Sequence, residues 1–252
     1  MYDMKKAKKA VREAGKIIRK NYNGDYGVER KAKHDFATDV DRKAEEKIIS
    51  VLKSTEHSIF GEETGEHEGD EMTWIVDPLD GTTNFLLGNP AFSSAVALVD
   101  ENDEIVLSAV YMPFTEDLFT AKKDEGAYMN GEEMDVSDVS EVEDSFLIFC
   151  HGKRPKDSER AVDVYSKLKT VCKDLRQIGS ASIEFGMVAQ GRAEAFVFPG
   201  IPKYDAAPGL LLLKEAGGMV TTFEGEDWDF SSETLVASNG EVHEKVLELL
   251  KD

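Results

Sequence analysis

Cysteine is almost absent from this chain of 252 residues: Cys150 and Cys172 are the whole complement. They form no Cys-x-x-Cys pair, so a thiolate zinc site and a disulfide framework are both excluded and two free, buried thiols are expected. The five histidines (His34, His57, His67, His151 and His243) show no His-Glu-x-x-His spacing, and they are expected on the surface or in loops. No run of 18 apolar residues occurs, which leaves no candidate membrane-spanning helix. The Lys-rich opening, residues 1–12, lacks the apolar block of a signal peptide, so a cytoplasmic protein is expected. Positive charge is outweighed: 30 Lys and Arg stand against 50 Asp and Glu, a formal charge of −20. Such a surface repels nucleic acid and anionic membranes, so neither is expected as a partner, and it attracts cations.

What is present is a patterned globular chain. Met4, Ala7, Val11, Ala14 and Ile18 recur at helical spacing and predict a helix over residues 4–20. Residues 27–36 are polar and basic and read as a hairpin or loop. A second helix is predicted over 40–53, then an acidic loop over 61–71. Strands follow at 73–76, 92–99, 105–111, 118–121 and 127–129, and residues 138–144 form an acidic connector. Beyond it, strands at 146–150, 193–198, 219–223 and 234–237 alternate with helices at 158–170, 181–190, 206–216 and 241–251. Two subdomains are expected, 1–140 and 141–252, the first with helices packed on an antiparallel or mixed sheet.

The stretch that carries chemistry is Trp74-Ile-Val-Asp77-Pro78-Leu79-Asp80-Gly81-Thr82-Thr83-Asn84-Phe85. An apolar strand delivers two carboxylates three residues apart. Pro78 fixes φ, Gly81 permits a sharp turn, and Thr82-Thr83-Asn84 suit a helix start whose N–H groups can face an anion. Carboxylates beside a phosphate repel it unless divalent cations lie between, and carboxylate, carbonyl and phosphate oxygens are what Mg²⁺ prefers. The pattern points to a metal-bridged phosphate site, although Asp-Pro and Asp-Gly also make ordinary turns.

That run resembles the signature of the inositol monophosphatase superfamily, and other segments match in order: Thr38-Asp39, Gly61-Glu62-Glu63, Arg176 with Gly179-Ser180-Ala181, Tyr204-Asp205-Ala206-Ala207, and Glu215-Ala216-Gly217-Gly218. The resemblance implies a layered α-β-α-β-α sandwich and a Mg²⁺-dependent phosphatase, with two to three ions per site, Mn²⁺ as a substitute, and a homodimer. It implies that Glu62, Asp77 and the Leu79 carbonyl hold one ion, and that Asp77, Asp80 and Asp205 hold another. It further implies that Asp39 and Thr82, with Glu62, activate the attacking water. Gly81, Thr82, Thr83, Gly179, Ser180 and Ala181 are the implied substrate contacts. Asp39 or Thr38, and Asp205, also suit plain helix caps, and Arg176 suits a structural ion pair.

One position departs from the inositol-specific pattern. Where those members carry a glutamate seven residues before the last aspartate, this chain has Phe198. A phenyl ring cannot accept hydrogen bonds from polyol hydroxyls, so a broader sugar phosphatase is expected, one that takes fructose 1,6-bisphosphate, inositol 1-phosphate or both. Arg192 and Lys203 are the candidate contacts for a second phosphate. The alternatives are a nucleotide 3′-phosphatase of the same superfamily and a non-catalytic cation-binding member. A haloacid-dehalogenase-type phosphatase needs Asp-x-Asp, one residue shorter than the spacing here. A calcium loop at residues 100–111 fails because Ile105 stands where Gly is needed and Tyr111 where the last Glu is needed.

Overall fold

The computed structural model describes residues 4–32 and 35–251. His34 lies outside them. The chain runs α1 (Met4–Asn21), β1 (Val28–Ala32), β2 (Asp35–Thr38), α2 (Asp39–Leu52), β3 (His57–Gly61), β4 (Gly65–His67), β5 (Asp70–Asp80), α3 (Thr82–Leu86), β6 (Ser93–Val99), β7 (Ile105–Met112), β8 (Asp117–Lys122), β9 (Ala127–Met129) and β10 (Glu132–Glu133). It continues with β11 (Phe146–Phe149), α4 (Pro155–Leu168), β12 (Asp174–Arg176), α5 (Ala181–Ala189), β13 (Ala195–Pro199), α6 (Lys203–Glu215), β14 (Met219–Thr221), β15 (Thr234–Ser238) and α7 (His243–Leu250).

The strands β10-β9-β8-β7-β6-β5-β3-β4 form an eight-stranded sheet, and β12-β11-β13-β15-β14 form a five-stranded one; β1 and β2 make a separate hairpin. Five layers result. Helices α1 and α2 cover one face of the first sheet through Ala7, Val11, Ile18, Ala44 and Ile48, packed on Trp74, Val76 and Leu98. Helices α5 and α6 fill the middle layer, where Phe185 and Leu210–Leu213 meet Val110 and Phe119 of the first sheet and Phe196 and Leu235 of the second. Helices α4 and α7 close the far side with Val164, Leu168, Val246 and Leu247 on Leu147 and Val197. Central strands covered on both faces lose alternation, and β6 is buried at all seven positions. This is the layered α+β sandwich expected from the sequence.

Two local features position the site. In a regular strand Asp77 and Asp80, three residues apart, point to opposite faces. Here Asp77 lies opposite Ala95 and Asp80 opposite Ser93, so three steps on β5 match two on β6. The extra residue is a β-bulge at Pro78-Leu79, and it turns both carboxylates to the same side. Gly81 then takes φ +96°, and a Cβ there would lie 3.0 Å from the Ala91 carbonyl oxygen and 3.2 Å from Phe92 Cβ. Only glycine suits that turn.

Two expectations need correction. His243 is fully buried rather than superficial, because its ring bonds Thr221 Oγ1 at 2.8 Å and Ser238 Oγ at 2.7 Å. Strand β3 falls where no strand is expected, as a parallel neighbour of β5. Cys150 and Cys172 are free thiols, as expected, but half-buried rather than buried, and no helix among the described residues is long and apolar enough to cross a membrane.

Candidate metal centre

A cleft of about 440 Å³ opens where the β5 bulge, α3, the loop before α5, the start of α6 and the loop after β11 meet. Glu62, Asp77, Asp80 and Asp205 line it. One oxygen from each of Asp77, Asp80 and Asp205 lies within 4.8 Å of the others. Asp77 is 1% exposed; its Oδ1 accepts from Leu79 N at 3.1 Å, and among the described residues its Oδ2 has no hydrogen-bond partner. Asp80 is held by Ser182 N at 2.7 Å, Ser180 Oγ at 2.8 Å and Ala181 N at 3.0 Å. Burial pushes the Asp77 carboxyl well above the usual range, and the charges of Glu62, Asp80 and Asp205 push it further. Burial raises Asp80 too, opposed by the Ser180 and Ser182 donors. Glu62 is pushed up to about 8, chiefly by burial, with Lys153 opposing.

Protein chains do not gather buried carboxylates for stability, since unpaired buried charge is costly. A divalent cation resolves the arrangement. It would supply the counter-charge, and the partnerless Asp77 Oδ2 and the all-oxygen donor set suit such an ion. The donor set therefore fits Mg²⁺.

The structure corrects the expected role of Asp39. Thr38 is the extended N-cap of α2, and Asp39 faces outward, exposed, accepting from Gly27 N at 3.1 Å. Two residues on, Asp41 turns inward and is 1% exposed. Its Oδ1 accepts from Thr82 Oγ1 at 3.1 Å, and its Oδ2 accepts from Thr38 N at 2.8 Å and from the Thr38 hydroxyl. Thr82 Oγ1 lies equally near the Leu79 carbonyl, at 3.1 Å, so one hydroxyl proton has two acceptors. Burial raises the Asp41 carboxyl, with the Thr38 bonds opposing.

Other expected contacts divide. Gly81, Thr82, Thr83, Gly179 and Ala181 line the cleft. The Ser180 hydroxyl and the Ala181 N–H are spent on Asp80, so they position a carboxylate rather than offer free donors. Arg192 is exposed and outside the cleft lining, and the Lys203 ammonium lies 3.5 Å from the Phe60 ring centroid. Neither reaches the cleft. Arg176 pairs with Asp174. Asp205 sits in the first turn of α6 behind the cap residue Pro202, so it is not the cap.

Besides Asp41, three residues beyond the expected set matter. Glu45, fully buried one turn after Asp41 on α2, accepts from Glu63 N at 2.9 Å and Thr64 N at 2.8 Å. It fixes the turn that presents Glu62. Removing such a partner typically costs ten- to a hundredfold in metal affinity. Glu45→Ala is expected to weaken Mn²⁺ binding by about tenfold or more, read by calorimetric titration; unchanged affinity would remove Glu45 from the account. The signal was Asp41 and Glu45 at i, i+4 among Val40, Ala44 and Ile48, on the face that must be buried. Lys153 Nζ stands 3.5 Å from Glu62 Oε1.

Glu184 is the third, fully buried on α5, with Oε1 accepting from Ile178 N and Gly179 N, both at 2.9 Å, and Oε2 without a partner. Burial pushes it up to about 8. A carboxyl whose folded pKa lies above its unfolded one favours folding while protonated. That stability is lost as pH rises from the unfolded value near 4.5 through the folded value near 8. With Glu62 shifted the same way, metal-free protein is expected to lose several kcal/mol between about pH 5 and 8. Glu184→Gln should flatten part of that slope in urea denaturation with EDTA; a wild-type protein whose stability rises over that range contradicts the reading.

The chain matches the model of the inositol monophosphatase family over residues 2–252. It is 35% identical to Nus factor SuhB of Escherichia coli K12, covering 98% of this chain and 94% of that protein. It is 36% identical to an inositol monophosphatase of Dictyostelium discoideum, covering 95% and 92%. The structure of a Thermotoga maritima IMPase superposes with a TM-score of 0.88 at 30% identity, covering 96% and 94%.

Proposed function

The chain belongs to the inositol monophosphatase family, and from that membership we propose that it is a Mg²⁺-dependent phosphatase acting on small sugar or polyol phosphate monoesters. The observation that carries the reading is the group Asp77, Asp80 and Asp205, with ligand oxygens within 4.8 Å of one another and an Asp77 oxygen lacking any partner. Fructose 1,6-bisphosphate and inositol 1-phosphate are the proposed substrates. Relatives named Nus factor match over nearly the whole chain; the buried carboxylates and the Thr82–Asp41 bond favour chemistry at this site.

In this mechanism Asp77, Asp80 and Asp205 would hold Mg²⁺, and Glu62 and the Leu79 carbonyl would extend the donor set. When bound, the metal acidifies a water and neutralises phosphate charge. The protein's own groups do the rest. Thr82 Oγ1 donates its proton to Asp41 Oδ1, which leaves its lone pairs to accept a proton from the attacking water. Asp41, desolvated and fixed on Oδ2 by Thr38, takes up that charge through the threonine as general base. Ser180, Ala181 and Ser182 fix Asp80, so it need not reorganise as phosphoryl charge develops. Gly81 brings the backbone of the turn close to the phosphate. Phe198, 3% exposed and lining the cleft, presents an apolar wall that offers polyol hydroxyls no acceptor.

Phosphate release by purified protein tests the proposal, with fructose 1,6-bisphosphate, inositol 1-phosphate and 3′-phosphoadenosine 5′-phosphate as substrates. Release from the sugar or polyol esters with Mg²⁺, abolished by EDTA, is the expected result. Preference for the nucleotide would replace the substrate class, and release unaffected by EDTA would refute the metal.

A further inference from the structure

The second sheet supplies one wall of the cleft. Strands β12, β11 and β13 lie side by side and run parallel, and ligands are met at the carboxyl ends of parallel strands. Gln177 follows β12 directly, Cys150 and His151 follow β11, and Phe198 is the penultimate residue of β13. All four line the cleft that Asp77, Asp80 and Asp205 line. The Phe198 ring is apolar and a thiol is a weak donor, so His151 and Gln177 carry the hydrogen-bonding capacity of these four side chains. Both stand beside fixed backbone. Cys150 N donates to the Val197 carbonyl at 3.1 Å and Gly152 N to the Pro199 carbonyl at 2.9 Å, one residue on either side of His151. At Gly152 a Cβ would lie 2.3 Å from the Gly200 carbonyl oxygen, so the two backbones touch and the loop has one path. After Gln177, the N–H groups of Ile178 and Gly179 are held by Glu184 Oε1, both at 2.9 Å.

Among the described residues, the His151 side chain makes one hydrogen bond, from Nδ1 to the Gly152 carbonyl oxygen at 2.8 Å. A carbonyl oxygen only accepts, so Nδ1 carries the hydrogen, and the neutral ring presents Nε2 as an acceptor. Gln177 is exposed, and its Nε2 reaches the Cys150 sulfur at 3.9 Å, a weak contact that leaves the amide oxygen and an N–H for a ligand. A ring nitrogen that accepts and an amide that both accepts and donates match hydroxyl groups, each of which is donor and acceptor at once. We propose that His151 and Gln177 are specificity-determining residues that read hydroxyl groups on the alcohol part of the substrate, beside the Phe198 ring that offers those hydroxyls no acceptor. The preferred substrates are then esters of polyhydroxylated alcohols rather than simple alkyl phosphates. The inference rests on the phosphatase reading and names the feature of the substrate that the site reads.

The test compares inositol 1-phosphate with cyclohexyl phosphate, the same ring without its hydroxyls. Wild type, His151→Phe, Gln177→Leu, the double variant and His151→Gln are each assayed for kcat/KM on both esters. Wild type is expected to favour the inositol ester. The ratio of the two kcat/KM values is expected to fall about three- to tenfold in His151→Phe and in Gln177→Leu, the worth of one hydrogen bond, and further in the double variant, carried by KM. His151→Gln keeps an acceptor and is expected to retain most of the preference, which a purely structural role of the ring would not allow. A double variant whose ratio stays within about threefold of wild type overturns the proposal. Calorimetric binding of both esters, with Ca²⁺ replacing Mg²⁺, separates this failure from that of the phosphatase reading. A wild type that releases no phosphate yet binds the inositol ester more tightly, with the difference lost in the double variant, supports His151 and Gln177 and refutes the phosphatase. A wild type that binds the two esters equally, or a double variant that keeps the difference, overturns the proposal whether or not phosphate is released.

Discussion

Asp77→Asn is expected to lower Mg²⁺-dependent phosphate release by at least about a thousandfold, while the metal-free protein becomes more resistant to heat. The two effects share one cause. Asp77 is buried beside Glu62, Asp80 and Asp205, and its ionised form is disfavoured by all of them. Asparagine keeps an oxygen to accept from Leu79 N, at 3.1 Å in the wild type. It replaces the orphaned oxygen with an amide that can donate toward the neighbouring carboxylates. The repulsion is relieved, and so is the means of holding a cation. A gain of about 1 kcal/mol corresponds to roughly 2–4 °C for a chain of this size. Thermal melts in EDTA and phosphate assays in Mg²⁺ read the two effects separately. Activity within tenfold of wild type, or a melt lowered in EDTA, contradicts the assignment.

The second large effect separates two aspartates that lie two residues apart. Asp41→Asn is expected to cost about a hundred- to a thousandfold in kcat, whereas Asp39→Asn stays within about twofold. Asp41 is buried and accepts from Thr82, while Asp39 is exposed and, among the described residues, bonds the Gly27 backbone. Thr82→Val should resemble Asp41→Asn, and the double variant should lose little more than either alone, because the pair acts as one unit. Equal losses at Asp39 and Asp41 would mean that the Thr82–Asp41 bond is not the route for the proton. Steady-state kinetics with saturating Mg²⁺ decide this.

These two aspartates also show what was legible in the sequence. The Asp77–Asp80 turn was readable because a bulge that re-aims two carboxylates needs Pro and Gly at fixed places, and both are local signals. The helices and strands were readable from their periodicities, and the layered arrangement from the family resemblance. The identity of the inward aspartate was not, because Thr38-Asp39 and Thr38-x-x-Asp41 both suit a helix start. Only the phase of α2 against the sheet decides between them, and the burial of Val40, Ala44 and Ile48 sets that phase. Strand β3 was missed because its pairing with β5 is parallel and its few residues carry no alternation. Lys153 was missed for a related reason: its approach to Glu62 depends on β11 pairing with β13, which no local pattern announces. Glu184 did leave a trace, a lone carboxylate in an otherwise apolar helix, and that combination marks a buried acid with backbone donors waiting for it.

The centre itself is tested most directly by anomalous diffraction from crystals of the protein grown with Mn²⁺. The account predicts at least one strong peak at about 2.0–2.3 Å from oxygens of Asp77, Asp80 and Asp205, the range of a six-coordinate ion of this size, and its disappearance in Asp77→Asn. Crystals that show no peak at these carboxylates, from protein that releases phosphate under the same conditions, would contradict it.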